Sequence, residues 1–286
     1  MRVQVVTDST SDIPRRLADE LGIRVVPIYV RFGQETLRDG VDIQTDQFYS
    51  KLASLKTHPA TSQPNPEDFA AVYREYCDNE GIVSIHISSK ISGTCNSARI
   101  AKKTLESRCA IEVIDSKFNS AGLGLVVLAA ARKARSGASL LEVVNEANRA
   151  ISRAGMFGMF ETTKYLARSG RVNSTIAAAS RILNIKPLLT FKDGEIVRAG
   201  LVRTVNGGLD RICSYVENNL PVEEIAIVHS AVPDRADQLR KRLSRFLKGD
   251  RFSIGELGPG LGVHGGPGVL LAAFLRSSPR VATEGA

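Results

Sequence analysis

The chain has 286 residues, 43% of them hydrophobic and 24% charged, an ordinary balance for a globular protein with room for one large or two ordinary cores. Its net charge of +8 is uneven: residues 1–155 hold 20 Lys+Arg against 18 Asp+Glu, whereas residues 156–286 hold 18 against 12. A mild imbalance of this kind suits a solvated face or an acidic partner, and there is neither zinc-finger spacing nor an RNA-binding aromatic signature, so no nucleic-acid partner is expected.

The first apolar run, residues 3–7, predicts a strand that ends in Asp8-Ser9-Thr10-Ser11-Asp12; Pro14 then opens a helix to about residue 21. Because the strand pattern begins directly at the N-terminus, no secretory signal is expected. Residues 24–32 read as one further strand, residues 33–42 as a hairpin-like segment and residues 45–55 as a helix. In Thr61-Ser62-Gln63-Pro64-Asn65-Pro66 two prolines argue against regular structure, leaving a stiff hydroxyl loop before a helix over 67–77. Thr61 and Ser62 either satisfy loop backbone or face a ligand.

Residues 82–87 form the clearest buried strand, followed by Ser88, Ser89, Ser92 and Thr94, with Gly93 allowing a turn into a helix over 96–105. A strand, polar turn and helix start is a common place to hold an anion; Ser92 or Thr94 alternatively only caps the helix. No P-loop lysine is present. A strand over 111–114 ends in Asp115-Ser116. Residues 121–131 are apolar nearly all round, which predicts burial between layers or beside an apolar ligand, and the run is too short to span a bilayer. A helix over 140–152 completes a strand–helix alternation that implies a parallel sheet, with the hydroxyl clusters at its carboxyl edge.

The second half reads as α+β: a strand over 156–160, the basic turn Arg168-Ser169-Gly170-Arg171, a small-residue helix over 174–183, and strands over 186–190 and 195–202 joined at Lys192-Asp193-Gly194. A helix over 205–218, a strand over 225–228, a basic helix over 235–247 and a strand over 252–255 follow. Residues 257–268 form a glycine-rich stretch, read as a loop, around His264, before a last strand over 269–275. The G-x-G-x-x-G match inside it is weak, since no βαβ unit follows. His264, walled by glycines, leans to a ligand role. Cys77, Cys95, Cys109 and Cys213 show no C-x-x-C pair, which argues against a disulfide framework or zinc site and for a reducing compartment.

Taken in order, V-T-D-S-T-S-D-I-P (Val6 to Pro14), T-S-Q-P (Thr61 to Pro64), S-S-K-I-S-G-T (Ser88 to Thr94), R-S-G-R-V (Arg168 to Val172), K-P-L-L (Lys186 to Leu189), V-R-T (Val202 to Thr204) and H-G-G-P-G (His264 to Gly268) resemble the DegV family of bacterial fatty-acid-binding proteins. The resemblance implies a two-domain α/β fold: a parallel-sheet domain, residues 1–155, with hydroxyl-rich loops for a carboxylate, and an α+β domain, residues 156–286, with a basic surface and the glycine-rich His loop. A long-chain fatty acid would lie between them in an apolar tunnel. Carried over by motif, Thr61 and Ser92 would bond its carboxylate, with the Gly93 and Thr94 backbone nearby and His264 completing the polar end. Arg171 and Arg203 match positions that face a phosphate or a partner. That partner would be a separate kinase of dihydroxyacetone-kinase type, making acyl phosphate; the carrier itself would be non-catalytic, without metal or cofactor, and cytoplasmic, with room for transient membrane contact. The competing reading is a serine hydrolase or acyltransferase using Ser92, His264 and Asp8, although Ser92 lies in S-G-T and not in a G-x-S-x-G elbow. A nucleotide-dependent kinase has neither a P-loop nor a paired-carboxylate magnesium motif in its support.

Overall fold

The computed structural model describes residues 2–54, 57–162, 164–171, 185–247 and 251–277. The helix expected over 174–183 and the last residue of that expected over 45–55 lie outside these residues.

Four parallel strands make the first sheet, in the order β2-β1-β6-β7: β1 (Val3–Asp8), β2 (Arg24–Val26), β6 (Gly81–His86) and β7 (Ile111–Asp115). Every residue of β1 and β6 is buried, as expected where helices cover both faces of a parallel sheet. Between them come α1 (Arg15–Leu21), α2 (Thr45–Ser54) and α3 (Pro66–Arg74); α4 (Thr94–Leu105) links β6 to β7. A small antiparallel sheet, ordered β4-β3-β5, contains β3 (Tyr29–Phe32), β4 (Glu35–Arg38) and β5 (Ala60–Ser62).

The second large sheet, ordered β10-β9-β8-β13-β11-β12, is antiparallel except for its β11–β12 edge. It comprises β8 (Ala154–Met159), β9 (Lys186–Lys192), β10 (Glu195–Val202), β11 (Val222–His229), β12 (Phe252–Glu256) and β13 (Leu270–Arg276). The remaining helices are α5 (Ser120–Arg135), α6 (Leu140–Arg153), α7 (Lys164–Ser169), α8 (Val205–Glu217), α9 (Pro233–Leu243) and α10 (Pro259–Gly265).

Helix α5 packs on β1 and β6 of the first sheet and on β8, β11 and β13 of the second. Its apolar residues are therefore buried around the circumference, in one core that joins Val5 and Ile85 to Val228 and Leu271. At its C-terminal end Arg132 makes a two-pronged pair, 2.6 and 2.8 Å, with the buried Glu224 of β11.

Several expectations need correction. The strand over 24–32 breaks at Pro27, which lacks an N–H for a ladder, into β2 and β3 of different sheets. Residues 61 and 62, placed in an irregular loop, belong to β5 (Ala60–Ser62), because Pro59 and Pro64 flank the strand without interrupting it and Thr61 is free to pair with Val30. The glycine-rich stretch around His264 is helical over Pro259–Gly265. Pro259 starts the helix, and its glycines admit close neighbours: a Cβ on Gly260 would lie 2.3 Å from Ile28 Cδ1, and one on Gly262 2.6 Å from Phe48 Cε1. Cys77 and Cys109, separated by 32 positions, are paired as a disulfide, contrary to the reading from spacing. The hairpin turn at Asp193-Gly194 forms as expected, both residues having positive φ.

Removing Arg132 leaves Glu224 buried without its partner. Arg132→Ala is expected to lower stability by about 2–4 kcal/mol in urea denaturation, whereas Arg132→Met combined with Glu224→Leu recovers much of the loss; equal stability of the single variant and wild type would dismiss the pair as a structural tie.

Candidate ligand site between the sheets

The carboxyl ends of β1, β6 and β7 run into three polar loops that face β8, β9 and β13 across a cavity of about 420 Å³. That volume lies within the usual ~300–1,000 Å³ of a small-molecule site. Its walls are mainly apolar: Ile87 and Ile91 after β6, Met156 and Phe160 around β8, Leu189 and Phe191 on β9, Ile196 on β10, Leu271 on β13 and Leu261 on α10. The β9–β10 hairpin reaches back over the first half of the chain, where Ser88 Oγ donates to the Gly194 carbonyl at 2.7 Å and Phe191 meets the Phe118 ring at 5.6 Å.

The polar groups gather where β5, the β6–α4 turn and α10 converge. Thr61 Oγ1 and His264 Nε2 are 2.9 Å apart although 203 positions separate them. Pairing of Thr61 with Val30 places β5 along this wall, and α10 carries His264 to it. Ser92 Oγ lies 2.8 Å from Thr94 Oγ1 and accepts from the Thr94 amide at 3.3 Å. Gln63 covers Gly93 so closely that a Cβ there would sit 2.0 Å from its Oε1, and Gln63 Nε2 donates to Ser97 at 3.1 Å.

Thr61, Ser92, Gly93 and His264 thus line one cavity; Thr94 is buried behind Ser92 and does not line it. Arg171 lines the cavity as an exposed residue. Arg203 is exposed between β10 and α8 and is not part of the lining. Thr10, Asn119, Ser120 and Thr190 also line the cavity; of these only Thr10 lay in a cluster noted from the sequence. The first three follow strands of the parallel sheet, a signal that the hydroxyl cluster after β1 already carried; Thr190 looks like any strand residue.

Burial, and then the charges of Arg171 and His58, push the His264 imidazole down to about 4. It is neutral at pH 7, and its Nδ1 is enclosed without a partner among the described residues. A tautomer with the proton on Nε2 donates to Thr61 and avoids a buried unpaired N–H, so we assign that one.

Two carboxylates, the partly buried Asp12 and the buried Asp39, hold the start of α10. Asp12 accepts from the Gly258 amide at 2.9 Å and from Ser120 Oγ at 2.6 Å; Asp39 accepts from the Gly260 amide at 3.2 Å and from Ser9 Oγ at 2.8 Å. Burial raises both, Asp39 to about 7. No cluster of metal-ligating residues occurs among the described residues, nor is any helix there long and apolar enough to cross a membrane.

The hydrolase arrangement is not assembled. Ser92 pairs with Thr94, His264 with Thr61, and Asp8 with Thr10, His86 and the Ile87 amide. A different serine–histidine–aspartate chain does occur: Tyr73 donates to Ser84 Oγ, which lies 2.7 Å from His86 Nε2, and His86 Nδ1 lies 2.9 Å from Asp8. All four residues are fully buried, out of reach of a substrate.

A family model described as "Uncharacterised protein, DegV family" matches residues 2–276. The chain belongs to the DegV family. A DegV domain-containing protein of Caldanaerobacter subterraneus is 35% identical over 270 residues, covering 93% of this chain and 96% of the relative. Among solved structures, a DegV family protein of Thermus thermophilus, described by its fatty acid binding, superposes with a TM-score of 0.88 at 34% identity, over 96% of this chain and all of that one. DegV of Bacillus subtilis, described as a fatty acid binding protein, gives 0.87 at 27% identity, over 97% of this chain and all of that one.

The low position of His264 sets a pH dependence in this DegV chain. The unfolded chain takes up the imidazole proton near its ordinary value of 6.5, the folded one only near 4, so His264 contributes to stability fully above 6.5 and loses that contribution as pH falls towards 4. Urea denaturation at pH 7, 6 and 5 is expected to show wild type losing stability faster than His264→Gln, by about 2 kcal/mol over the window. Parallel curves would remove this assignment.

Proposed function

We propose that this DegV protein is a non-catalytic cytoplasmic carrier that binds a long-chain fatty acid between its two halves, residues 1–155 and 156–286, and presents the carboxylate to a separate kinase of dihydroxyacetone-kinase type. One observation carries the reading: an apolar cavity lined by Thr61, Ser92, Gly93 and His264, with Thr61 and His264 hydrogen-bonded to each other. The fatty acid binding of the Thermus thermophilus and Bacillus subtilis relatives supports it.

The chemistry follows from the proton assignments. With His264 donating to Thr61, the Thr61 hydroxyl proton is free for a ligand oxygen, and Ser92 with the backbone around Gly93 offers further contacts. Thr94 steadies Ser92 from behind, with its backbone near the carboxylate as the family resemblance implies. A carboxylate held by neutral donors stays ionised and keeps lone pairs for attack on the γ-phosphorus of the kinase's ATP, with ADP as the leaving group. Arg171, on the lining, suits the added phosphate; Arg203, away from the lining, suits contact with the partner. Affinity comes chiefly from the chain, at roughly 0.8 kcal/mol per buried CH₂. No observation favours the hydrolase reading, since its three groups are committed elsewhere.

Mass spectrometry of lipid extracted from the purified protein is expected to show a stoichiometric long-chain fatty acid. Thr61→Val and Ser92→Ala are each expected to weaken binding of a defined fatty acid by about 10–150-fold, the worth of a hydrogen bond to a charged acceptor. No lipid in the extract together with no binding in titration would overturn the reading.

A further inference from the structure

We infer that Cys77 and Cys109 are a reversible thiol–disulfide pair, open to exchange with small disulfides of the glutathione class, whose closure stiffens the Gln63 and Gly93 loops of the cavity through α3 and α4. Their Cα atoms are 4.7 Å apart, within the span a bridge requires. Cys77 follows α3 and Cys109 follows α4, so the bond joins the trailing ends of two helices whose leading ends open directly from the Thr61–Gln63 and Ser92–Gly93 segments. The helices pack along their length, Phe69, Ala70 and Tyr73 of α3 against Ala98, Ala101 and Leu105 of α4. At the leading ends Gln63 lies on Gly93 and bonds Ser97 of α4. Tying one end of such a packed pair limits sliding and splaying at the other, roughly 18 Å away at 1.5 Å per residue.

The exchange is confined to this pair. Cys95 and Cys213 are buried, and burial raises both thiols, Cys95 to about 11, which keeps them protonated and unreactive. Cys77 is only half-buried, on a turn, and is the point of entry; Cys109 is buried and acts only as the resolving thiol, next to Cys77. In the forward direction the Cys77 thiolate attacks one sulfur of the small disulfide, breaking its S–S bond and releasing one thiol. The Cys109 thiolate then attacks the Cys77 sulfur of the mixed disulfide and releases the second. Two protein thiols are oxidised, one small disulfide is reduced, and the two protons leave on the two small thiols.

The test equilibrates the full chain with oxidised or with reduced glutathione, then alkylates it under unfolding conditions. Two alkylated cysteines, Cys95 and Cys213, are expected in the oxidised sample and four in the reduced one. The oxidised protein is expected to melt roughly 5–10 °C higher and to show several-fold slower amide exchange over 61–65 and 92–97. Cys77→Ser combined with Cys109→Ser is expected to match reduced wild type in both buffers. Four alkylated cysteines in oxidised glutathione, or a bridge between any other pair, would overturn the site. Equal exchange of the two segments in both redox states would overturn the coupling. No readout uses a fatty acid, so the result is separate from that of the carrier reading.

Discussion

One helix must satisfy two sheets at once. Helix α5 lies between a parallel and a largely antiparallel sheet and buries apolar residues around its circumference, so neither sheet has a complete core without it. Such a helix cannot place charge along its middle, and its charges are pushed to the end: Arg132, Lys133 and Arg135 occupy the last turn, where they also suit the helix dipole. At the other end Ser120 is turned to a positive φ and its hydroxyl goes to Asp12, leaving Asn119 and Ser120 on the cavity wall. The gap between the sheets thus opens at the polar start of α5 and is filled at its middle.

The second constraint is the weakness of α10. Three of its seven residues, Gly260, Gly262 and Gly265, are poor helix formers. The helix exists because packing and capping outweigh propensity. Missing side chains allow Ile28, Phe48 and Tyr49 to approach, and the partly buried Asp12 and the buried Asp39 take the amides of Gly258 and Gly260. Burial disfavours the charged forms of those aspartates, yet amides at a helix start are suitable partners for carboxylates. The result is a short rigid support that brings His264 to Thr61 from the far end of the chain.

The regular parts of the fold were legible because their patterns are local. Continuous apolar runs marked β1 and β6, and an apolar stretch without a polar face announced the two-sided burial of α5. Hairpin chemistry at Asp193-Gly194 also read directly. What failed depended on neighbours distant in sequence. Pro27 divides two sheets that are identified only by their partners; α10 is helical only against Ile28 and Phe48; Cys77 and Cys109 meet only because α3 and α4 lie side by side. The site showed the same division. Thr61, Ser92 and His264 could be named from their motifs, but their meeting is a property of β5, the β6–α4 turn and α10 together. Thr190 carried no local mark at all.

The buried array of Tyr73, Ser84, His86 and Asp8 shows why residue types alone decide little about chemistry. Its protons run one way: Tyr73 gives to Ser84, Ser84 therefore gives to His86 Nε2, and His86 Nδ1–H gives to Asp8. The serine–histidine–aspartate order is that of a hydrolase, but nothing enters a core with no exposed atom of these residues. Asp8 also takes the Ile87 amide and, at its other oxygen, the amide and hydroxyl of Thr10. The array is thereby a tie between β1 and β6, fixing where each strand releases its loop. Thr10 and Ile87, both bonded to Asp8, line the cavity. A constellation that would be catalytic at a surface instead fixes, from within, the wall against which a ligand would lie.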